Sequence, residues 1–420
     1  MFWLSLLIAC SSENTATSEV EKTPEQPKTE AIPIPIEAPK PIQEPLVGEA
    51  QPSLLVTQAW FWKDASGDSQ PGAARLDIWR YKEGTWSTVR VEDGDSNVFH
   101  KAIPYDGGIV TIGAEQAMLK KWTFADGKWN TELLWQRDWK GKFNRLRDME
   151  VGDVDQDGKD ELIIATHDAG VVAVYNPDAP ADQRIVELDE QADMFVHEIE
   201  VGDINGDGKM EFFATPSERN QSKKSQAGKV VMYRWNGSTY TKTVVDEFFK
   251  THAKEILVAD INADKKSEFF AVLEAERVGK AIIKPVEIRQ YTEQAEGGFT
   301  HSVVFTLQDE QCRFLVPGDF DHDGVIDIVA AGYTSGLWIA RQNNGVWTTT
   351  LIDSDSSGFE HTAYATDMNK DGKLELVVAA DNQASLNMYT WDAANTQFNK
   401  EKIGDLAPDS LTWNIVYGEF

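Results

Sequence analysis

The sequence predicts an all-β fold, a seven-bladed β-propeller of four-stranded antiparallel blades in which the N- and C-terminal strands share one blade. Three observations carry this. A short acidic loop recurs five times, its first Asp at 153, 203, 260, 319 and 367, a spacing of roughly 50 residues that suits propeller and solenoid repeats. Each copy runs straight into an apolar stretch such as Leu162-Ile-Ile-Ala or Leu376-Val-Val-Ala, β-branched and too short for a helix, hence a buried strand. Downstream, aromatic residues flank a polar turn, from Trp122 to Trp129, Tyr233 to Tyr240 and Trp391 to Phe398, which is the pattern of a hairpin.

In chain order, residues 1–10 form an apolar run, Phe2 to Ala9, ending in Leu7-Ile-Ala-Cys10. This resembles a bacterial lipobox, in which the Cys is acylated, although no Lys or Arg precedes the run. Residues 11–50 are rich in Ser, Thr, Glu, Lys and Pro. Such a composition buries no core and favours an extended spacer, so the expectation is a lipid on Cys10 and a tether that holds a folded domain, residues 51–420, at a bacterial cell envelope, in the outer membrane. No later stretch is long and apolar enough to span a bilayer. The other cysteine, Cys312, is read as a small buried apolar residue.

Residues 54–92 supply three strands, and Leu411 to Phe420 supplies the fourth of that blade, closing the ring without an open edge. The unit beginning at His100 turns plainly at Asp106-Gly-Gly. The next five carry the acidic loops.

Those loops read as metal sites. Oxygens at positions 1, 3 and 5, a backbone carbonyl at 7 and a Gly at 6 suit Ca2+. An EF-hand closes with Glu at position 12, but Ile164, Ala214, Ala271, Ala330 and Val378 stand there. The closing acid is at position 9. The candidate ligands are Asp153, Asp155, Asp157 and Glu161; Asp203, Asn205, Asp207 and Glu211; Asp319, Asp321, Asp323 and Asp327; and Asp367, Asn369, Asp371 and Glu375. A fifth set, Asp260, Asn262, Asp264 and Glu268, has Lys265 where Gly would supply positive φ. Five in-phase Asp-x-Asp/Asn-x-Asp loops resemble the FG-GAP/VCBS repeat, the propeller type also found in integrin α subunits. The resemblance covers roughly residues 54–420 and implies Ca2+ bound between first and second strands, in a structural role, on the face opposite the ligand surface.

Function is expected on that other face. Six residues before each loop, where first strands begin, stand His100, Arg147, His197, Lys254, Arg313, His361 and Trp413. The connections after the second strands add Arg219, Lys223, Lys224, Arg277 and Lys280. These form either a basic funnel for a ligand or a set of cations paired with acids such as Asp148, Glu198 and Glu255. The formal charge of -29 argues against nucleic acid as partner. Three classes remain: a surface protein binding a glycan, peptide or protein; a sugar lyase or dehydratase using His100, His197 and His361 with Glu198; and a structural module of an envelope assembly. No nucleophile motif favours the enzyme, and the first class is the expectation.

Overall fold

The computed structural model describes residues 37–141, 143–219, 226–343, 345–407 and 409–420. Cys10, Lys223 and Lys224 lie outside them. Seven four-stranded antiparallel blades form a ring. Blade 1 combines Ser410–Glu419 with Pro52–Lys63, Ala74–Lys82 and Thr85–Asp93. Blade 2 is Phe99–Tyr105, Gly108–Gly113, Met118–Ala125 and Lys128–Gln136. Blade 3 is Leu146–Gly152, Glu161–Thr166, Val172–Tyr175 and Ile185–Leu188. Blade 4 is Met194–Gly202, Glu211–Glu218, Gly228–Trp235 and Tyr240–Phe248. Blade 5 is Ala253–Ala259, Glu268–Leu273, Val286–Glu293 and Phe299–Leu307. Blade 6 is Cys312–Gly318, Asp327–Gly332, Leu337–Asn343 and Val346–Asp353. Blade 7 is Ala363–Thr366, Glu375–Ala380, Ser385–Asp392 and Gln397–Asp405. Closure comes from pairing the two chain ends, with Pro52 opposite Glu419 and Trp60 opposite Ser410.

The second strands explain the continuous apolar runs. Leu162, Ile163, Ile164 and Ala165 are all fully buried, because each blade is covered on both faces by its neighbours and alternation would strand polar groups. Among the described residues seven large apolar clusters follow, each shared by two successive blades; the last joins Val377 and Leu386 of blade 7 to Leu54 and Val56 of blade 1. Blades approach closely where the chain is glycine. A Cβ at Gly202 would stand 2.4 Å from Val258 Cγ1 of the next blade.

Of the segment expected as a tether, Ile42 to Val47 lies along blade 1. Glu44 N–H donates to Arg90 O at 2.8 Å, Ile42 O accepts from Glu92 N at 2.7 Å, and Arg80 donates to Val47 O at 2.7 Å. These bonds occupy the outer edge of that sheet.

First strands start on one face and end at the acidic loops on the other. That polarity separates two kinds of chemistry.

Candidate functional site

The five acidic loops share one backbone design. The N–H at position 6 donates to the first Asp in all five, at 2.7 to 3.1 Å, and the N–H at position 7 donates to the acid at position 5 at 2.8 to 3.0 Å. Position 6 has positive φ throughout, including Lys265 at 71° where the other copies have Gly. The fifth-set loop thus keeps its shape at a strain cost of about 1–2 kcal/mol. The position-9 acids Glu161, Glu211, Asp327 and Glu375 are buried.

The donor set fits a divalent cation. In blade 3 the ligand oxygens of Asp153, Asp155 and Glu161 lie within 4.8 Å of one another, as do those of Asp319, Asp321 and Asp323 in blade 6. Asp153 Oδ1 and Glu161 Oε1 are buried and have no hydrogen-bond partner among the described residues. Burial and the charge of Asp155 push the Glu161 carboxyl up to about 7, a strain that a bound cation relieves. Two loops already meet an internal cation. Arg234 Nε lies 2.7 Å from Glu211, and Arg341 Nε lies 3.1 Å from Asp321 and 3.3 Å from Asp327.

On the opposite face, the register position six residues before each loop turns out to be a β-bulge. His100, Arg147, Lys254, Arg313 and Trp413 each lack a ladder partner, and in blade 4 His197 and Glu198 share the irregularity. His361 precedes its strand with φ 53°. A bulge re-aims side chains. Five of the seven, His100, Arg147, Lys254, Arg313 and Trp413, line the channel together with Asp148, Glu198, Phe314, Glu360 and Asn414. His197 and His361 do not. His197 Nε2 meets Ser217 Oγ at 3.0 Å, and His361 meets Ser356 Oγ at 2.7 Å and Gly332 O at 2.6 Å, all within the blade body.

The channel cations face acids that the repeat pattern does not mark. Glu360 lies 3.5 Å from both Arg147 and Arg313. Glu274 lies 3.4 Å from Arg313, 3.5 Å from Lys254 and 3.6 Å from His252. Burial raises Glu274, but Lys254, His252 and Arg313 outweigh it and hold the carboxyl at about 2. Lys254 is pressed down to about 8 by burial and by Arg313. Deeper in, Lys101 pairs with Asp148 at 3.0 Å and with Glu150. Glu198, Glu200 and Glu255 are pushed well above the ordinary range, first by burial and then by neighbouring carboxylates. Both effects favour the neutral carboxyl over the carboxylate.

The pocket lined by His100, Arg147, Lys254, Arg313 and Trp413 has a volume of about 10 Å³, room for one water. Around its mouth are the half-buried Trp413 and the exposed Phe359, ring centroids 6.3 Å apart, with the Arg147 guanidinium 5.0 Å from Trp413 and that of Arg313 5.3 Å from Phe359. On the same face a second hollow of about 300 Å³, lined by Glu115, Gln116, Gln136, Asp138 and Asn144, has its amides engaged: Gln136 with Gln116 at 3.0 Å, Asn144 with Glu115 O at 3.1 Å. Among the outer cations, Arg277 pairs with Glu310 and Arg219 lies 3.6 Å from Asp193. Cys312 is buried, its thiol pushed up by that burial.

Sequence reasoning missed Glu274, which follows a second strand, and Glu360, Phe359 and His252, which stand one or two residues ahead of the register positions His361 and Lys254. Burial presses His252 down to about 3 and His361 to about 4 from the ordinary 6.5. Each takes up a proton near pH 6.5 when unfolded but not when folded, so its contribution to stability is present above pH 6.5 and is lost as pH falls towards about 4. The raised Glu198, Glu200 and Glu255 act in the opposite sense, so the difference between variants is the readout. Wild type is expected to lose more stability between pH 7 and pH 5 than His361→Gln, by urea denaturation; equal losses would contradict a neutral buried His361.

Residues 153–214 and 319–378 match the family model of the FG-GAP-like repeat. No curated protein matches the chain. Similar solved structures include an Agrocybe aegerita lectin that recognises non-reducing terminal N-acetylglucosamine, at 12% identity and TM-score 0.52 over 90% of this chain and 96% of that one. A putative 6-phosphogluconolactonase from Bacteroides fragilis is similar at 13% identity and TM-score 0.54, over 88% and 98%. A periplasmic gluconolactonase from Pseudomonas aeruginosa is similar at 14% and 0.51, over 87% and 99%. Folds of this shape thus serve both binding and catalysis, and at these identities the likeness is one of fold. With seven blades in a closed ring and acidic loops in register, the chain is a seven-bladed β-propeller that carries FG-GAP-like repeats.

Proposed function

We propose that this chain is a calcium-stabilised binding propeller, held at the cell envelope by a lipid on Cys10, that presents its channel-mouth face to a glycan, peptide or protein ligand. The carrying observation is the mouth itself: Phe359 is 40% exposed and stands with Trp413 over Arg147 and Arg313. Aromatic and Arg side chains in this arrangement are what interfaces use as anchors. The channel below favours binding over turnover. The histidine that lines it, His100, is buried and neutral, and the pocket there has room for no substrate-sized group. An array of glycans and peptides is expected to capture wild type and to lose at least tenfold of the signal with Phe359→Ser. Equal capture by the variant would remove the mouth from the account.

The metals act as staples on the other face. Ca2+ would be held by the acids at positions 1, 3, 5 and 9, tightest in blade 3, where two buried carboxylate oxygens lack partners, and weakest in blade 5. Each site filled at a hundredfold excess over its dissociation constant stabilises by about 2.7 kcal/mol. Chelation is therefore expected to lower the melting temperature by roughly 10 °C or more, and Asp153→Asn to remove the tightest step in a calorimetric Ca2+ titration. A melting curve unchanged by chelator would contradict the staple role.

A further inference from the structure

We infer that the channel mouth reads a hydroxyl group, and that the ligand of this face is a neutral saccharide; this rests on the mouth-face reading above. Four polar atoms belonging to residues that line the small cavity are buried and have no hydrogen-bond partner among the described residues: His100 Nε2, Glu360 Oε1, Asn414 Oδ1 and Trp413 Nε1. His100 and Glu360 are 1% and 3% exposed. Leaving such groups unpaired costs about 1–3 kcal/mol each, so a partner of matching chemistry is strongly favoured.

Their chemistry is mixed. His100 Nδ1 stands 2.8 Å from Leu146 O, so Nδ1 carries the proton and Nε2 is an acceptor. Burial and the nearby Arg147 hold this imidazole neutral. Glu360 Oε1 and Asn414 Oδ1 also accept, whereas Trp413 Nε1–H only donates. An anion would satisfy the indole and repel the three acceptors. A cation would do the reverse, and Arg147, Lys254 and Arg313 line the same space. A group that both donates and accepts pairs with the indole and with one of the acceptors at once, and about 10 Å³ admits only one of water size. That group is a water, or a ligand hydroxyl that takes its place.

The rim selects between them. Phe359, 40% exposed, and the half-buried Trp413 stand edge to face and give the rim an apolar surface, while Arg147 and Arg313 are already turned to Glu360. A ligand that combines an apolar face with outward hydroxyls, and brings no charge, is a pyranose. A peptide would place an amide, whose donor and acceptor are separate atoms, or an apolar side chain over the hole, and neither supplies a single atom that both donates and accepts unless a Ser or Thr falls at that point.

The test follows the Trp413 indole N–H in 15N-labelled protein, assigned with Trp413→Phe. The protein is titrated with a panel of neutral methyl glycosides and, separately, with a panel of unstructured peptides. The expected result is a saturable shift of the Trp413 indole resonance with at least one glycoside, and at least tenfold weaker binding in Phe359→Ala and in His100→Phe. A shift produced by peptides alone overturns the saccharide assignment and leaves the mouth as the binding face. Glycoside binding that leaves the Trp413 resonance unmoved overturns the mouth. No shift with either panel overturns both.

Discussion

Seven first strands converge on one narrow axis, and whatever side chains they carry there must be packed and neutralised against one another. An ion pair in such a place loses most of its hydration, and breaking one partner costs about 3–5 kcal/mol because the other is left unpaired. The chain answers with contacts between blades. Glu360, just ahead of blade 7, faces Arg147 of blade 3 and Arg313 of blade 6, and Glu274 of blade 5 faces Lys254 of its own blade and Arg313 of the next. Lys101 of blade 2 reaches Asp148 of blade 3. Apolar clusters join each blade to the next, but these charge contacts also tie blades that are not neighbours. The narrowness of the cavity, the neutral histidines and the exposure of only the rim follow from this filling.

Much of this was legible in the sequence, for a physical reason. A metal loop needs fixed residue types at fixed offsets, and a strand buried on both faces needs an unbroken apolar run, so loops, second strands, blade count and ring closure all leave local traces. Counting back from each first Asp reached His100, Arg147, Lys254, Arg313 and Trp413 because the bulge stands at a constant distance from the loop. The count could not tell which side chains would turn into the channel. His197 and His361 occupy the same register, but hydroxyls at Ser217 and Ser356 and a carbonyl at Gly332 hold them inside the blades. Nor could it supply the counter-charges. Asp148 lies beside Arg147 in sequence yet pairs with Lys101, while Glu360 stands one residue ahead of the counted His361 and Glu274 follows the second strand of blade 5.

The two faces divide the work. Loop strain and carboxylate repulsion sit at the acidic-loop end of five of the first strands, where a cation would offset them. The mouth end carries the bulges, the orphaned polar atoms and the exposed aromatic rings. A bound metal and a bound ligand would therefore act on opposite ends of the same five strands, the first fixing their ends so that the second meets a preformed rim.

The most direct measurement of this account is a double-mutant cycle between blades 6 and 7, with Arg313→Met, Glu360→Gln and both together compared by urea denaturation. Charge contacts that hold the axis predict a coupling of about 1–3 kcal/mol between the two positions. Losses that add to within about 0.3 kcal/mol would contradict it, and would mean that the apolar clusters alone close the ring.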